Sequence, residues 1–247
     1  VPVPVRATSL NPPAFAMKHL VTALLAASFA TSPLFADLED DIPLGIEAVT
    51  GIRSDYVYRG FNLADVVMDF QLETSIVLDD TLALSAGGWF SSEVSDNFTE
   101  GVAFLDLSYS LHNDITVGGS ASYHAYDHNF FENGFDLGAF LTWHAGRDWN
   151  MEAGVYRDFA TNGWYAHLGS DWSFRLSDKA YLGINTGVSA VEDYYGQSGL
   201  NDFHGQASLT YNINTMLSIT TFTGWSCELD NGDGSEIYGG LWFEVSF

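Results

Sequence analysis

Apolar and polar residues alternate with a period of two along most of this chain. From 115 to 125, one parity reads Ile115, Val117, Gly119, Ala121, Tyr123 and Ala125. The other reads Thr116, Gly118, Ser120, Ser122 and His124. Two further windows repeat the pattern. Val66, Met68, Phe70, Leu72, Thr74, Ile76 and Leu78 stand against Asp65, Val67, Asp69, Gln71, Glu73, Ser75 and Val77. Trp164, Ala166, Leu168, Ser170, Trp172 and Phe174 stand against Tyr165, His167, Gly169, Asp171, Ser173 and Arg175. Successive strand side chains point to opposite faces, so this alternation predicts strands with one apolar and one polar face. No helical period competes in these windows. The pattern predicts about twelve strands, at 45–60, 65–78, 81–93, 100–112, 114–126, 134–145, 148–159, 163–176, 179–191, 202–213, 215–226 and 236–247. The 215–226 segment has a weak face preference, and its parity stays open.

The connections add a second regularity. Tight, turn-rich links at 79–80, 112–114, 145–148, 176–179 and 212–214 alternate with longer ones at 61–64, 94–99, 127–133, 160–162, 192–201 and 227–235. An even number of strands with short turns on one side and longer loops on the other is the asymmetry of a bacterial membrane barrel. A soluble sandwich does not require it. The final segment alternates to its end, with Leu241, Phe243, Val245 and Phe247 on one parity. A terminal aromatic residue on such a strand fits the closing strand of an outer-membrane barrel, and Phe247 is the candidate signal for the barrel-assembly machinery. The fold class expected is all-β, a transmembrane antiparallel up-and-down barrel of about 12 strands.

The N-terminal region supports export. Met17-Lys18-His19 opens a basic start, Leu20 to Ala27 is apolar except for Thr22, and small residues follow to Ala30 and Ala36. This is the three-part secretory signal, with an apolar centre too short for a spanning helix, which needs about 20 residues. Cleavage after Ala36 or after Ala30 both remain open. The domain reading is therefore 1–16 as an upstream segment that reads as a translation artefact, 17–36 as a signal peptide and 37–247 as the barrel. No cysteine stands directly after either cleavage point, so a lipid anchor is not expected.

Composition and charge sharpen this picture. Hydrophobic residues make up 47% and aromatic residues 15%, with only 16% charged, where a soluble domain carries about 25% charge. Arg6 and Lys18 precede residue 37, which leaves six basic residues against 32 acidic ones. So acidic a chain excludes nucleic acid as a partner, since phosphates are bound by Lys and Arg. Single Cys227 excludes an internal disulfide. A charged side chain facing lipid at mid-membrane costs about 2–4 kcal/mol. Asp69, Glu73, Asp106, Asp136, Glu152 and Asp171 all fall on the polar parity, and Arg157 falls on the apolar parity at a strand end. Trp143, Trp149, Trp164, Trp172 and Trp225 fall on or near the apolar parity towards strand ends, where aromatic belts sit.

The most distinctive local string is Arg53-Ser54-Asp55-Tyr56-Val57-Tyr58-Arg59-Gly60-Phe61. Its Ser54–Gly60 stretch resembles the SDYVxRG motif near the mature N-terminus of the TorF porin family of outer-membrane proteins. Beyond those residues the resemblance rests on length, strand pattern and Phe247, and this chain is richer in acids than the general pattern. The resemblance implies an outer-membrane barrel with channel activity and implies no particular solute. Read as a strand, the string places Arg53, Asp55 and Arg59 on the lumen face and Tyr56 and Tyr58 towards lipid or the outer interface. Asp69, Gln71 and Glu73 on the next strand face the same way as the arginines, so opposite charges are expected to meet across the hairpin, each pair contributing up to about 1 kcal/mol.

The candidate pore-lining set is Arg53, Asp55, Arg59, Asp69, Gln71, Glu73, Asp106, His124, Asp136, Glu152, His167, Asp171 and His204. His144 shares their parity, and Tyr126, Phe140, Tyr156, Tyr165 and Tyr181 have lumen parity and narrow the bore. The histidines come from separate strands, so no metal site is expected. Glu228, Asp230, Asp233 and Glu236 lack EF-hand spacing, and Asn231-Gly232 and Asp233-Gly234 read better as hairpin turns. No G-x-S-x-G occurs, and His128 and His204 have no identifiable serine partner, so catalysis is not expected and no cofactor is implied. The expected function is passive diffusion of small solutes or ions with cation preference, in contact with outer-membrane lipid. The alternatives are a non-conducting structural or adhesive barrel, against which the short outer loops weigh, and, further off, an outer-membrane enzyme.

Overall fold

A computed structural model describes residues 45–112, 114–127, 132–230 and 234–247. The predicted signal peptide, the segment before it and His128 lie outside these residues. The described chain is all-β. Its membrane-scale elements are β1 (Ile46–Arg53), β4 (Val67–Val77), β5 (Leu82–Glu93), β6 (Thr99–His112), β7 (Ile115–Tyr126), β8 (Gly134–Gly146), β9 (Trp149–Asp158), β10 (Gly163–Arg175), β11 (Ala180–Tyr194), β12 (Gln197–Asn212), β13 (Leu217–Glu228) and β14 (Glu236–Ser246). Each pairs antiparallel with its neighbours, and β1 pairs with both β4 and β14, so the twelve strands close into a barrel. Closure leaves no unpaired edge, which is what lets a sheet cross lipid. No described helix is long and apolar enough to cross a membrane.

The register fixes which way each side chain points. Val49, Gly51 and Arg53 pair with Gln71, Asp69 and Val67 on one side and with Glu244, Trp242 and Gly240 on the other. The same face continues around the wall through Ser91, Glu100, His124, Asp136, Tyr156, His167, Asn185, Gln206 and Phe222. This is the lumen face. The opposite face carries Leu105, Leu107, Leu137, Leu141, Val155, Leu168, Leu209 and Phe243, all exposed. Apolar side chains exposed in a continuous band around a closed sheet suit contact with lipid tails. Trp143 and Trp149 lie outward near one rim, where Trp149 pairs with Trp172, while Trp164 and Trp225 lie outward near the other. In β13 the open parity resolves with Ser218, Thr220, Phe222, Gly224 and Ser226 inward.

One rim holds both chain-end strands' termini and the connections at 78–81, 147–148, 176–179 and 213–216. These are compact turns. Asp79 Oδ1 accepts hydrogen bonds from the Thr81 N–H (2.7 Å), the Thr81 hydroxyl (2.8 Å) and the Leu82 N–H (2.8 Å). The Thr81 backbone bond, followed by its hydroxyl, holds the Asp79 carboxyl below the ordinary carboxylate range. The other rim holds the longer connections, with one departure from the predicted loop at 192–201. There the ladder continues to the Tyr194–Gln197 pair through register shifts after Val188 and Val191. Tyr195 and Gly196 alone make the turn, with φ of 48° and 78°. Positive φ at both central residues is the pattern of a type I′ turn, which matches the twist of the flanking strands.

The predicted first strand, 45–60, is the main correction. β1 stops at Arg53, and residues 54–66 leave the wall. They form a separate two-stranded hairpin of β2 (Tyr56–Tyr58) and β3 (Phe61–Ala64). Tyr56 and Tyr58 therefore do not face lipid.

Candidate functional site

The site begins where the chain leaves the wall. The Ser54 N–H donates to the Gly239 carbonyl (2.8 Å), and the Ser54 hydroxyl accepts from the Gly239 N–H (3.1 Å). This two-point clamp on β14 ends the β1 ladder and redirects the chain. Asp55 lies in the bend that follows, not on a strand. The hairpin that results touches β5 and β6 through Tyr56, β7 and β8 through Tyr58 and Arg59, and β9 to β12 through Arg59 and Gly60. Only the interior of a closed barrel offers contact with so many separate strands. The hairpin is thus folded into the lumen.

Its tip is a two-residue turn, Arg59-Gly60, joining the paired residues Tyr58 and Phe61. Both turn residues have positive φ, 51° and 84°. Glycine suits its position for a second reason. A Cβ at Gly60 would sit 2.4 Å from Asn201 Nδ2. Arginine in the left-handed region is uncommon and costs about 1–3 kcal/mol, so surrounding contacts must hold it there.

Those contacts form a socket. The Arg59 guanidinium lies 4.8 Å from the Tyr165 ring centroid, 5.0 Å from Tyr58, 5.1 Å from Tyr156 and 5.7 Å from Tyr194. It also forms a hydrogen-bonded ion pair with Asp136 on β8 and donates to the Tyr194 hydroxyl (3.4 Å). Asn201 Nδ2 donates to the Arg59 carbonyl (2.7 Å) and fixes the turn itself. Each cation–π contact contributes about 0.5–2 kcal/mol, more when desolvated. A buried guanidinium without its carboxylate would be strongly destabilising.

A second anchor lies on the opposite wall. Tyr56 is buried, its ring edge-on to Trp89 (5.1 Å) and Phe98 (5.7 Å). Its hydroxyl donates to Glu100 Oε2 (2.6 Å), and Glu100 Oε1 pairs with His124 Nδ1 (2.8 Å). Glu100 is fully buried, so these partners replace the water it has lost. Arg53 completes this side, 4.1 Å from the Tyr56 ring and 2.9 Å from Asp69. Ala64, Val67 and Phe98 pack with Tyr56 into a small apolar core inside the lumen. Phe61 packs beside Tyr165, Val191 and Tyr194 on the far side.

The structure places the sequence-derived candidates as follows. Arg53 and Asp69 meet across β1 and β4, the charge pairing expected there. Arg59 instead reaches Asp136, on a strand far along the chain. Gln71 donates to Glu73 (3.2 Å) on the lumen face. His167 Nε2 lies 2.9 Å from Glu152 Oε1, with Asp171 on the same face of β10. His204 Nδ1 lies 3.1 Å from Asp202 Oδ1. Asp106 lies inward opposite Ser85 and Ser120. His144 Nδ1 is 2.8 Å from Asn150 Oδ1 near the turn rim. Tyr126, Phe140, Tyr156, Tyr165 and Tyr181 all lie inward. Phe247 follows β14, and its N–H donates to the Ile46 carbonyl (2.9 Å).

Sequence reasoning missed Glu100, Asp202, Tyr194 and Asn201. Glu100 and Asp202 carry the polar parity at the loop-rim ends of their strands, so the alternation held the signal for both. Asp202 gathers the hydroxyls of Ser226 (2.8 Å) and Ser189, with Asn201 Nδ2 donating to Ser189 (3.0 Å). Tyr194 and Asn201 fell in the predicted loop. No sequence signal joins them to Arg59.

Beside the hairpin tip the lumen opens into a cavity of about 410 Å³. Tyr58, Arg59, Tyr156, Tyr165, Asp202 and His204 contribute to its wall. Among the described residues no group of three or more histidine, cysteine or acidic side chains converges to hold a metal ion.

No known family profile matches the chain, and no curated protein matches it. Solved structures do. An outer-membrane channel from Pseudomonas putida F1 superposes with a TM-score of 0.59 at 14% identity, covering 84% of this chain and 97% of that one. The translocator domain of the autotransporter NalP from Neisseria meningitidis gives 0.57 at 13% identity, covering 92% and 98%. The KdgM porin gives 0.53 at 13% identity, covering 82% and 98%. At these identities the likeness is one of fold: this chain has the twelve-stranded barrel architecture found in outer-membrane channels and porins.

Proposed function

We propose that the chain is a bacterial outer-membrane channel for passive diffusion of small solutes, with a preference for cations, narrowed by its inward hairpin. The charge on the lumen wall carries this reading. Glu47, Glu73, Asp106, Glu152, Asp171 and Glu244 face inward. The inward arginines Arg53 and Arg59 are already committed to Asp69 and Asp136, and Arg175 is paired with Asp178 at the turn rim. The uncompensated lining is therefore acidic, and a water-filled bore of that sign concentrates cations and repels anions. The Ser54–Gly60 likeness to the TorF porins supports the same class. So do the channel and porin names among the structural neighbours. One neighbour, the KdgM porin, was solved with oligogalacturonate, and an acidic lumen does not suit so anionic a sugar.

Short turns and both chain-end strands' termini at one rim favour that rim as periplasmic, which places the hairpin towards the outside. The exposed apolar band then meets outer-membrane lipid. A catalytic reading has candidates among the His–carboxylate pairs. At Glu100–His124, Ser122 Oγ lies 3.1 Å from His124 Nε2, but Glu100 is fully buried and also takes the Tyr56 hydroxyl, which supports a structural role. Another is the Asp202–His204 pair. Ser189 and Ser226 both donate to the carboxylate rather than to the imidazole, an arrangement that supports a structural role. A non-conducting structural barrel is the second reading, and the hairpin across the lumen is what favours it. Reconstitution in a planar bilayer under a salt gradient separates these. A cation-selective reversal potential supports the proposal. Anion selectivity would refute the preference, and absence of any current would favour the structural reading.

A further inference from the structure

We propose that the socket around Arg59 is a guanidinium-recognition site, filled by the chain's own arginine when the hairpin is seated and open to a guanidinium-bearing solute when it is not. The socket has the parts such a ligand needs. Tyrosine rings of the wall, from β9, β10 and β11, surround the cation at 4.8–5.7 Å and stay in place whether or not the hairpin is seated; the hairpin's own Tyr58 adds a ring at 5.0 Å while it is seated. Asp136 supplies the carboxylate, and the Tyr194 hydroxyl accepts a further N–H (3.4 Å). Tyrosine faces with one carboxylate match a planar, weakly hydrated cation better than a compact ammonium.

The other observations are independent of that chemistry. Arg59 sits at a φ of 51°, a conformation its residue type avoids, so its placement there points to a role beyond turn formation. The socket also borders the 410 Å³ cavity, which shares Tyr58, Arg59, Tyr156 and Tyr165 with it. A solute in the lumen thus has a route to these rings. The hairpin strands pair only with each other, so release of the tip breaks no wall ladder. Seated, the hairpin obstructs the bore; displaced by a competing guanidinium, it clears it. The inference deepens the channel reading, which it needs only for the route by which solute arrives.

The test uses the full chain folded in detergent, with methylguanidinium chloride as probe and N-methylurea and sodium chloride as controls. Arg59→Gly removes the guanidinium while tolerating the positive φ. Methylguanidinium should raise the unfolding midpoint of Arg59→Gly saturably, by about 3 °C at ten times its Kd, while neither control does so. Arg59→Gly/Asp136→Asn should lose that shift. Equal shifts with sodium chloride, an unchanged shift in the double variant, or no shift in folded Arg59→Gly would overturn the site. If Arg59→Gly does not fold, the wild-type chain decides. Methylguanidinium should then accelerate chymotryptic cleavage after Tyr58 relative to cleavage elsewhere, and an unchanged rate overturns the proposal. Neither readout uses conductance, so a failure of the channel reading stays distinguishable from a failure of the site.

Discussion

Tyr56 shows how a single side chain holds a loop inside a barrel. Its ring fills the apolar space between Trp89 and Phe98, and its hydroxyl meets a carboxylate that water cannot reach. Removing only the hydroxyl leaves the packing intact and takes one donor from buried Glu100. Tyr56→Phe should therefore destabilise the folded barrel by about 1–3 kcal/mol, measured by denaturant unfolding in detergent. A change within error would show that Glu100 draws its stabilisation elsewhere. The Arg53–Asp69 pair was legible in the sequence because its members sit on adjoining strands with matched parity. The Arg59–Asp136 pair was not, since 77 residues separate its partners and only a chain reversal at Ser54 brings them together. Period-two alternation says which face a residue takes on its own sheet, and it is silent on which sheet that is.

At the scale of elements, the hairpin and the wall strands share the same local pattern. Arg53, Asp55 and Arg59 share one parity and Tyr56 and Tyr58 the other, which is why 45–60 reads as one element. The distinguishing signals are small: the Ser54-Asp55 bend and a glycine at position 60, directly after Arg59. The Tyr195-Gly196 turn at the end of β11 is the same device, a non-glycine residue followed by glycine with both in positive φ, although there the sequence reads as loop. The wall strands were legible because lipid enforces them, as a misplaced charge on the outer face costs several kcal/mol at mid-membrane. No such penalty polices a hairpin in a water-accessible lumen. Because Arg53 pairs with Val67, β1 and β4 are close enough at their ends to be joined directly. Replacing residues 55–65 with Asn-Gly should leave a heat-modifiable barrel and raise single-channel conductance several-fold. Unchanged conductance in a folded variant would mean that the hairpin does not limit the bore.

The whole molecule combines an apolar outer band, tryptophans at both rims and an acidic inner wall on one closed sheet. Closure runs through β1 and β14, where the Phe247 N–H reaches the Ile46 carbonyl (2.9 Å). That bond belongs to the backbone and survives substitution, while the exposed Phe247 ring points outward. Phe247→Ser should thus lower the amount of assembled barrel in cells by several-fold with little effect on the conductance of what does assemble. Normal levels of heat-modifiable protein would contradict a role in assembly. Strand number and inner–outer parity were legible at this scale, because they follow from the alternation and from the cost of charge in lipid. The narrowing of the lumen was not, because it depends on one segment that leaves the wall. Ion selectivity of the purified chain tests the role of the acidic lumen most directly. In a planar bilayer under a potassium chloride gradient, the reversal potential should take the sign of potassium permeation and shrink when lumen carboxylates such as Glu73 and Glu244 are made neutral. A reversal potential of chloride sign, or an electrically silent barrel, would contradict a cation-preferring channel.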